Sequence, residues 1–289
     1  MRTVTKDTIT DAFLGYMAPD TDPRLREVLT SLARHLHAFV KETGLTHGEW
    51  EKGIELLEWA GDISDKERHE FVLLSDLLGI SSLVDMVNFV PGGTSSSVLG
   101  PFHISGEPDI PMGFDMKRHY PGDVLLATGV IQAMDGTPIE GARIDIWQTA
   151  PNGLYSSQDP EQDTYSFHGI QTTGPDGRYG FTTVKPVSYE VPTDGPGGAL
   201  LDATGRHAWR PSHLHFIVKA DGYRTLVSEI FADDDPYLDE DAVFGVREDL
   251  VMHYDEQPAG TFPDTGFELS GKVDGPWLKA DFDLVLTPA

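Results

Sequence analysis

Hydrophobic residues recur every three or four positions in the first part of the chain. Between residues 25 and 40 they fall on one face of a helix, at Leu25, Val28, Leu29, Leu32, Leu36, Phe39 and Val40. Asp22 precedes Pro23, so a capping carboxylate stands before a proline at the first helical position. The pattern predicts an amphipathic helix that begins at residue 23 and buries one apolar stripe.

Two further helices are predicted by capping boxes. Thr46 is followed three residues later by Glu49, and Ser64 is followed by Glu67 at the same spacing. Each helix would bury one apolar stripe, so three or four of them would form a small bundle or a packing surface for a second subunit.

The periodicity changes near residue 90, where PGGTSSS (residues 91–97) interrupts the helical pattern. Beyond it, an apolar run at residues 124–131 leads to the hairpin-turn signal at residues 135–136, and residues 142–147 alternate with a period of two. Strands separated by Gly, Pro and Asp turns are typical of an antiparallel sandwich. We therefore predict a mainly β protein, with an α-helical segment at 1–90 and an antiparallel β-sandwich domain at 91–289.

Charge and composition exclude several classes of partner. Lys and Arg number 21 against 47 Asp and Glu, a net charge of -26, which repels nucleic acid and anionic lipid surfaces. The chain has no cysteine, no apolar run of membrane-spanning length, and no signal-peptide core near its start. We expect a cytoplasmic protein that binds neither nucleic acid nor membranes.

Candidate chemistry centres on RPSHLHF (residues 210–216). Side chains alternate along a strand, so His213 and His215 point the same way and are spaced to share one metal ion. Arg210 adds a permanent cation, which suits a site that holds an anion beside a metal. The motif alone leaves a second interpretation open, since histidine pairs on half-buried strands are often packing residues.

Other ligands for such a metal would have to come from elsewhere in the chain. Lys219 and Ala220 stand where a cupin-like strand would carry glutamate, and the absence of cysteine rules out thiolates. Asp, Glu, Tyr or a distant His remain. Tyr155 follows a strand in a tight loop, and Tyr189 lies between two prolines, although either could simply cover the edge of the core.

The motifs taken together resemble the intradiol ring-cleaving dioxygenases, and the helical start resembles the catechol 1,2-dioxygenase branch. The matching segments are GPFH (100–103), DIWQ (145–148), GLYS (153–156), DGRY (176–179), PVSY (186–189) and RPSHLHF (210–216). The resemblance covers nearly the whole chain and implies one non-haem iron(III) per chain. Tyr155, Tyr189, His213 and His215 match the four ligand positions of that family.

The chemistry that this resemblance implies suits these residue types. Phenolate is a hard donor that stabilises iron(III), and the charge of the metal ionises tyrosine far below its usual pKa. Tyr189 is expected to leave the metal and act as a base for a proton of the bound aromatic diol. Arg210 is expected to stabilise the negative charge that develops on the ring before O₂ attacks it. The product would be a ring-opened dicarboxylic acid that contains both oxygen atoms.

Segments of the chain also resemble the branch that cleaves hydroxyquinol (benzene-1,2,4-triol) to 3-hydroxy-cis,cis-muconate or maleylacetate. The substrate-binding residues implied are Leu73, Asp76, Leu99, Gly100, Pro101, Phe102, Val191, Pro192, Arg210, Glu229 and Val243. Asp76 could accept a hydrogen bond from the third hydroxyl, or it could be a solvated or capping residue on a helix. Glu229 departs from the catechol-cleaving relatives, which tend to carry glutamine there, and the sequence leaves its role open.

Two alternative functions remain at this point. The first is the same enzyme class acting on catechol or a substituted catechol. The second is a prealbumin-like binding module, which residues 130–142 resemble, although such modules lack the tyrosine and histidine set. The family resemblance also implies a homodimer through the N-terminal helices, around an apolar tunnel that can hold a phospholipid.

Overall fold

The computed structural model describes residues 3–66, 68–260, 265–271 and 275–289, and most of the first 90 positions are helical. The α-helices are α1 (Ile9–Gly15), α2 (Pro23–Thr43), α3 (His47–Ile63), α4 (Glu70–Leu77), α5 (Ile80–Asn88) and, much later, α6 (Pro196–Thr204). The predicted helical segment is therefore confirmed. No helix in the described ranges is long and apolar enough to cross a membrane.

The predicted start signals of α2 and α3 are confirmed. Asp22 caps α2 by accepting a hydrogen bond of 2.8 Å from the Leu25 amide, and Pro23 is the first helical residue. Thr46 and Glu49 form a reciprocal capping box, since each accepts a hydrogen bond from the backbone N–H of the other. The second predicted box depends on Glu67, which lies outside the described residues.

Thirteen strands occur in the described residues, and most belong to two large sheets. They are β1 (Phe114–Asp115), β2 (Val124–Ala133), β3 (Arg143–Trp147), β4 (His168–Thr172), β5 (Arg178–Val184), β6 (Tyr189–Glu190), β7 (Trp209–Arg210), β8 (His213–Lys219), β9 (Leu226–Ala232), β10 (Val251–Met252), β11 (Asp255–Gln257), β12 (Trp277–Asp281) and β13 (Leu284–Leu286). One sheet has the order β1-β5-β2-β12-β11, with β13 also on β2, and the other has the order β10-β9-β8-β3-β4. Strands β6 and β7 form a separate pair.

The prediction of wholly antiparallel sheets was wrong. Strands β12 and β13 run parallel to β2, β1 runs parallel to β5, and β10 runs parallel to β9, so both large sheets are mixed. The predicted turn at residues 135–136 does form, since Ala133 N–H bonds the Thr137 carbonyl and Ile139 N–H bonds the Ile131 carbonyl. It does not join β2 to β3, because β3 crosses to the other sheet.

One hydrophobic cluster draws side chains from both large sheets. Leu125 and Ile131 of β2 belong to it together with Ile144 of β3 and Phe216 of β8. The strands that carry the functional motifs are therefore anchored in the main core. In the described residues the fold consists of mixed sheets and six α-helices. The narrower class of a mainly β sandwich stays a prediction.

Packing divides the chain into two compact units, with the division after Glu58. The first unit contains α1, α2 and most of α3, and Thr10 and His37 connect α1 to α2 by a 3.0 Å hydrogen bond. The second contains the sheets with α4, α5 and α6. The sequence placed a domain boundary at 90/91, where helices give way to strands, and that boundary stays a prediction.

Strand β3 differs from the alternating pattern that its sequence suggests. Residues 142–147 alternate with a period of two, yet Asp145 is 7 % exposed, and the four residues from Ile144 to Trp147 are all buried. The reason is that β3 lies between β4 and β8, and Asp145 accepts hydrogen bonds from His103 and His168 at 2.7 and 2.8 Å. Two imidazole partners allow a carboxylate to be buried at this position.

Candidate metal centre

Four side chains from three parts of the chain direct nitrogen and oxygen atoms at one another. Tyr155 Oη lies 3.2 Å from Tyr189 Oη, 3.4 Å from His213 Nε2 and 3.0 Å from His215 Nε2. The two Nε2 atoms are 3.1 Å apart. All four side chains are buried. The structure thus brings together the four residues that the family resemblance suggested as ligands.

Local structure explains this convergence. His213 and His215 are two residues apart on β8, a central strand, and so project from the same face. Tyr155 follows a tight turn after β3, in which Gly153 adopts a positive φ of 79° and its N–H bonds the Ala150 carbonyl. Tyr189 was expected in a loop, but it opens the short strand β6, where it pairs with Arg210 of β7.

The protonation of the four groups suits a metal. His213 Nδ1 lies 2.7 Å from the Pro211 carbonyl, which can only accept, so Nδ1 carries the proton and the Nε2 lone pair faces the centre. Burial lowers the pKa of both imidazoles, which keeps them neutral. Burial also raises the pKa of Tyr155 and Tyr189, so these phenols need a strongly charged cation to ionise. Two imidazoles and two hard phenol oxygens are a donor set that fits iron(III).

Arg210 lies beside these donors and is enclosed by two carboxylates. Its guanidinium donates to Glu229 at 2.7 and 2.9 Å and to Asp241 at 3.0 and 3.2 Å. Its Nη1 also lies 3.3 Å from His213 Nε2. The residue is 1 % exposed. Every N–H direction of the guanidinium therefore has an acceptor within the protein, which fixes its plane and position.

Glu229 lies close to Ser97 and to both histidines, which the sequence did not indicate. It accepts a 2.5 Å hydrogen bond from the Ser97 hydroxyl, and its Oε1 lies 3.4 Å from His213 Nε2 and 3.3 Å from His215 Nδ1. Burial raises the pKa of Glu229, but the charges of Arg210 and His213 and the hydrogen bonds from Arg210 and Ser97 together lower it below its usual value. The side chain is therefore an ionised carboxylate with no exposure to solvent.

Sequence reasoning missed three residues of this centre. Asp241 lies two residues before Val243, which was predicted to bind substrate, but was not itself selected. Ser97 was assigned only to the domain boundary. Trp147, in the DIWQ motif, stacks on His215 with ring centroids 4.5 Å apart and an interplanar angle of 3°. An aromatic residue at the end of a predicted strand was the available signal for Trp147, and nothing local marked Ser97.

The GPFH segment covers one side of the centre. Phe102 stacks on Tyr155 at 4.9 Å, and a Cβ on Gly100 would lie 3.5 Å from His215 Cε1. His103 packs edge-on against Trp147 while it bonds Asp145. His103, Asp145 and His168 are close enough to hold an ion themselves, but hydrogen bonds to both oxygens of Asp145 account for their arrangement.

Most of the remaining predicted pocket residues either line a cavity or pack beside it. Phe102, Val191 and Pro192 line, with Tyr189, a cavity of about 700 Å³. Leu73 and Val243 pack with Val191 in a separate apolar cluster next to it. Of the other two, Pro101 is buried and Leu99 is 40 % exposed.

Asp76 is a buried carboxylate without a hydrogen-bond partner among the described residues. It is 1 % exposed, so its interpretation as a solvated residue was wrong. It lies one turn after Leu73 on α4, on the same face of the helix. It is not among the residues that line the 700 Å³ cavity. Burial raises the pKa of Asp76 to about 6, although the positive charge of Arg210 opposes this shift.

This pKa predicts a stability that depends on pH. The pKa of Asp76 is about 6 in the folded protein, against an ordinary value of 3.8 for an aspartate, so the unfolded chain loses the proton first as pH rises. The free energy of unfolding contributed by Asp76 should therefore fall as pH rises from about 4 to about 6. Asp76→Asn cannot titrate, so it should become more stable relative to wild type by roughly 2–3 kcal/mol across that range. Urea unfolding at pH 4 to 7 measures this, and two parallel curves would contradict it.

Comparison with known proteins agrees with this geometry. Residues 22–90 match the family described as catechol dioxygenase N terminus, and residues 105–287 match the dioxygenase family. The chain is 45 % identical over 280 residues to hydroxyquinol 1,2-dioxygenase of Rhizobium sp. (strain MTP-10005), covering 96 % of this chain and 93 % of that one. It is 33 % identical over 283 residues to catechol 1,2-dioxygenase of Candida albicans, covering 96 % and 91 %. The crystal structure of hydroxyquinol 1,2-dioxygenase from Pseudomonas putida DLL-E4 superposes with a TM-score of 0.85 at 42 % identity, covering 98 % and 99 %.

Proposed function

The chain belongs to the intradiol dioxygenase family and is an aromatic ring-cleaving dioxygenase, and from this premise we propose that it cleaves hydroxyquinol between its adjacent hydroxyls. The observation that carries the proposal is the convergence of Tyr189 Oη, His213 Nε2 and His215 Nε2 within 3.4 Å of Tyr155 Oη. Tyr155, Tyr189, His213 and His215 are proposed to hold one iron(III) per chain. This buried set of metal donors argues against the prealbumin-like binding module, because such modules lack the two tyrosines and two histidines.

When bound, iron(III) would supply Lewis acidity and would draw electron density from the diol, which would make a ring carbon reactive towards O₂. The protein groups have separate tasks around it. Tyr189 Oη is proposed to accept a proton from one substrate hydroxyl, since Tyr189 is the donor that also lines the 700 Å³ cavity. Arg210, held rigid by Glu229 and Asp241, is proposed to stabilise negative charge on the ring. Phe102, Val191 and Pro192 would hold the ring and exclude water.

The choice of hydroxyquinol over catechol rests on Asp76 and on the relatives. A buried carboxylate without a partner destabilises the fold unless a ligand supplies a donor, and a third ring hydroxyl is such a donor. Relatives named for hydroxyquinol reach 45 % identity, against 33 % for the catechol enzyme above. Catechol or a substituted catechol is the second candidate, since Val191 lines the cavity and packs with Leu73 and Val243 in an apolar cluster, which suits a bare ring edge.

The iron site predicts a colour. Purified protein should contain one iron per chain and show a broad visible band, which should move to longer wavelength when a catechol binds. Tyr155→Phe should remove most of this band, because the phenolate that gives rise to it is lost. Absorption spectra and metal analysis test both statements, and zinc or no metal in an active preparation would contradict them. Tyr254→Phe is the matched control, since that buried hydroxyl has no partner among the described residues.

The helical unit predicts a homodimer. The apolar stripe of α2 is uncovered, with Leu32, Leu36 and Phe39 each about half exposed. Stripes of this kind form two-fold contacts between copies, and the dimer is proposed to leave an apolar channel that can hold a phospholipid. Leu36→Glu should convert the dimer to a monomer, whereas Arg34→Glu, on another face of α2, should not. Light scattering at micromolar concentration measures this, and a monomeric wild type would refute it.

A further inference from the structure

Glu229 links the buried arginine to one of the proposed histidine ligands. We propose that Glu229 is a positioning residue whose Oε1 accepts the Nδ1–H of His215 when the Nε2 of that histidine binds the metal. The proposal rests on the iron site proposed above and assigns a role to the one residue that departs from the glutamine of catechol-cleaving relatives.

His215 is oriented with its Nε2 towards the other proposed ligands, 3.0 Å from Tyr155 Oη and 3.1 Å from His213 Nε2. A neutral imidazole that ligates through Nε2 must carry its proton on Nδ1. That Nδ1 is buried and has no hydrogen bond among the described residues, but Glu229 Oε1 lies 3.3 Å away. A buried N–H without an acceptor is costly, and this carboxylate is the acceptor at hand.

His213 differs from His215 in the hydrogen-bond partner of its Nδ1. His213 Nδ1 already donates to the Pro211 carbonyl at 2.7 Å, so the backbone fixes its tautomer without any carboxylate. The two imidazoles therefore differ, since one is held by a neutral carbonyl and the other faces an anion. A carboxylate partner makes an imidazole a stronger donor to a metal than a carbonyl does. Glu229 should accordingly act on His215 more than on His213.

The identity of residue 229 as glutamate rather than glutamine follows from its donors. Both oxygens accept from Arg210, and Oε2 also accepts from Ser97. An amide nitrogen at either position would face a donor instead of an acceptor, so glutamine could not keep every contact. Only a carboxylate can accept hydrogen bonds from Arg210 through both oxygens and also accept one from His215 Nδ1–H.

The test compares iron(III) affinity, measured by competition with a chelator, in the full-length wild type, Glu229→Gln and Asp241→Asn. Glu229→Gln should weaken iron(III) binding about 10–100-fold, the usual effect of losing a partner of a ligating histidine. Asp241→Asn also removes a carboxylate from Arg210, but it touches neither imidazole and should change affinity by less than about threefold. Equal losses in both variants, or no loss in Glu229→Gln, would overturn the proposal.

A second measurement needs no variant and would stand if Glu229→Gln failed to fold. Gallium(III) is a diamagnetic trivalent ion of similar hardness, so imidazole protons are visible by NMR in the gallium-loaded protein. A downfield, exchange-protected Nδ1–H signal from His215 is expected, and its absence would overturn the proposal. Wild type that fails to bind iron(III) at all would instead refute the proposed function, so the two failures are distinct.

Discussion

Arg210→Lys is expected to slow ring cleavage by about 10²–10³-fold while the protein still binds iron and substrate. Lysine keeps the positive charge but loses the planar fork, which now donates to both oxygens of Glu229 and of Asp241. A single ammonium cannot reproduce four such contacts, so the cation would shift relative to the ring. Single-turnover kinetics at saturating substrate measure the step, and iron content and substrate binding are measured separately.

The geometry also indicates how Arg210 could reach the substrate. Its Nη1 points at His213 Nε2 from 3.3 Å, and a nitrogen lone pair that binds a metal cannot also accept this hydrogen bond. Loading the site would therefore leave one N–H of Arg210 for the substrate. Arg206→Lys is a suitable control, because that guanidinium also bonds two acceptors, the Leu77 and Ala242 carbonyls, without contacting the four donors. Unchanged turnover in Arg210→Lys would mean that Arg210 only supports its neighbours.

Features encoded by neighbouring residues could be predicted from the sequence. The cap at Asp22 and the capping box of Thr46 with Glu49 both depend on short-range spacing, and the structure confirms each. The shared direction of His213 and His215 follows from strand geometry alone. The two tyrosines were different, because spacing could not select them among nine, and only the family resemblance did so.

The features that could not be predicted depend on contacts between distant residues. Strand β12 pairs in parallel with β2 across some 150 positions, and no local pattern specifies that neighbour. The enclosure of Arg210 brings together Ser97, Glu229 and Asp241, whose separate contexts read as a boundary loop, a strand and a turn. Asp145 breaks the alternation of β3 because two histidines from elsewhere compensate its burial. Buried polar groups of this kind are specified by their partners, which the local sequence does not show.

The burial of Asp76 leads to a prediction about substrate choice. Its two carboxylate oxygens have no hydrogen-bond partner in the described residues, so a donor on the ligand would meet an acceptor that is already desolvated. One hydrogen bond to a charged acceptor contributes roughly 1.5–3 kcal/mol, which is about ten- to a hundredfold in specificity. Wild type should therefore prefer hydroxyquinol to catechol by at least that factor in kcat/KM.

Asp76→Ala should lose about ten- to a hundredfold in kcat/KM on hydroxyquinol and little on catechol, or even gain on catechol, because a buried, unpaired carboxylate has been removed. Asp85→Ala is the matched control, since Asp85 on the next helix also has a pKa raised to about 6 by burial but lines a different cavity. It should affect both substrates equally. Equal losses on both substrates in Asp76→Ala would mean that Asp76 supports the fold instead of the third hydroxyl. If the wild type preferred catechol, catechol would replace hydroxyquinol as the proposed substrate. The proposed iron site and the role of Arg210 would be unchanged.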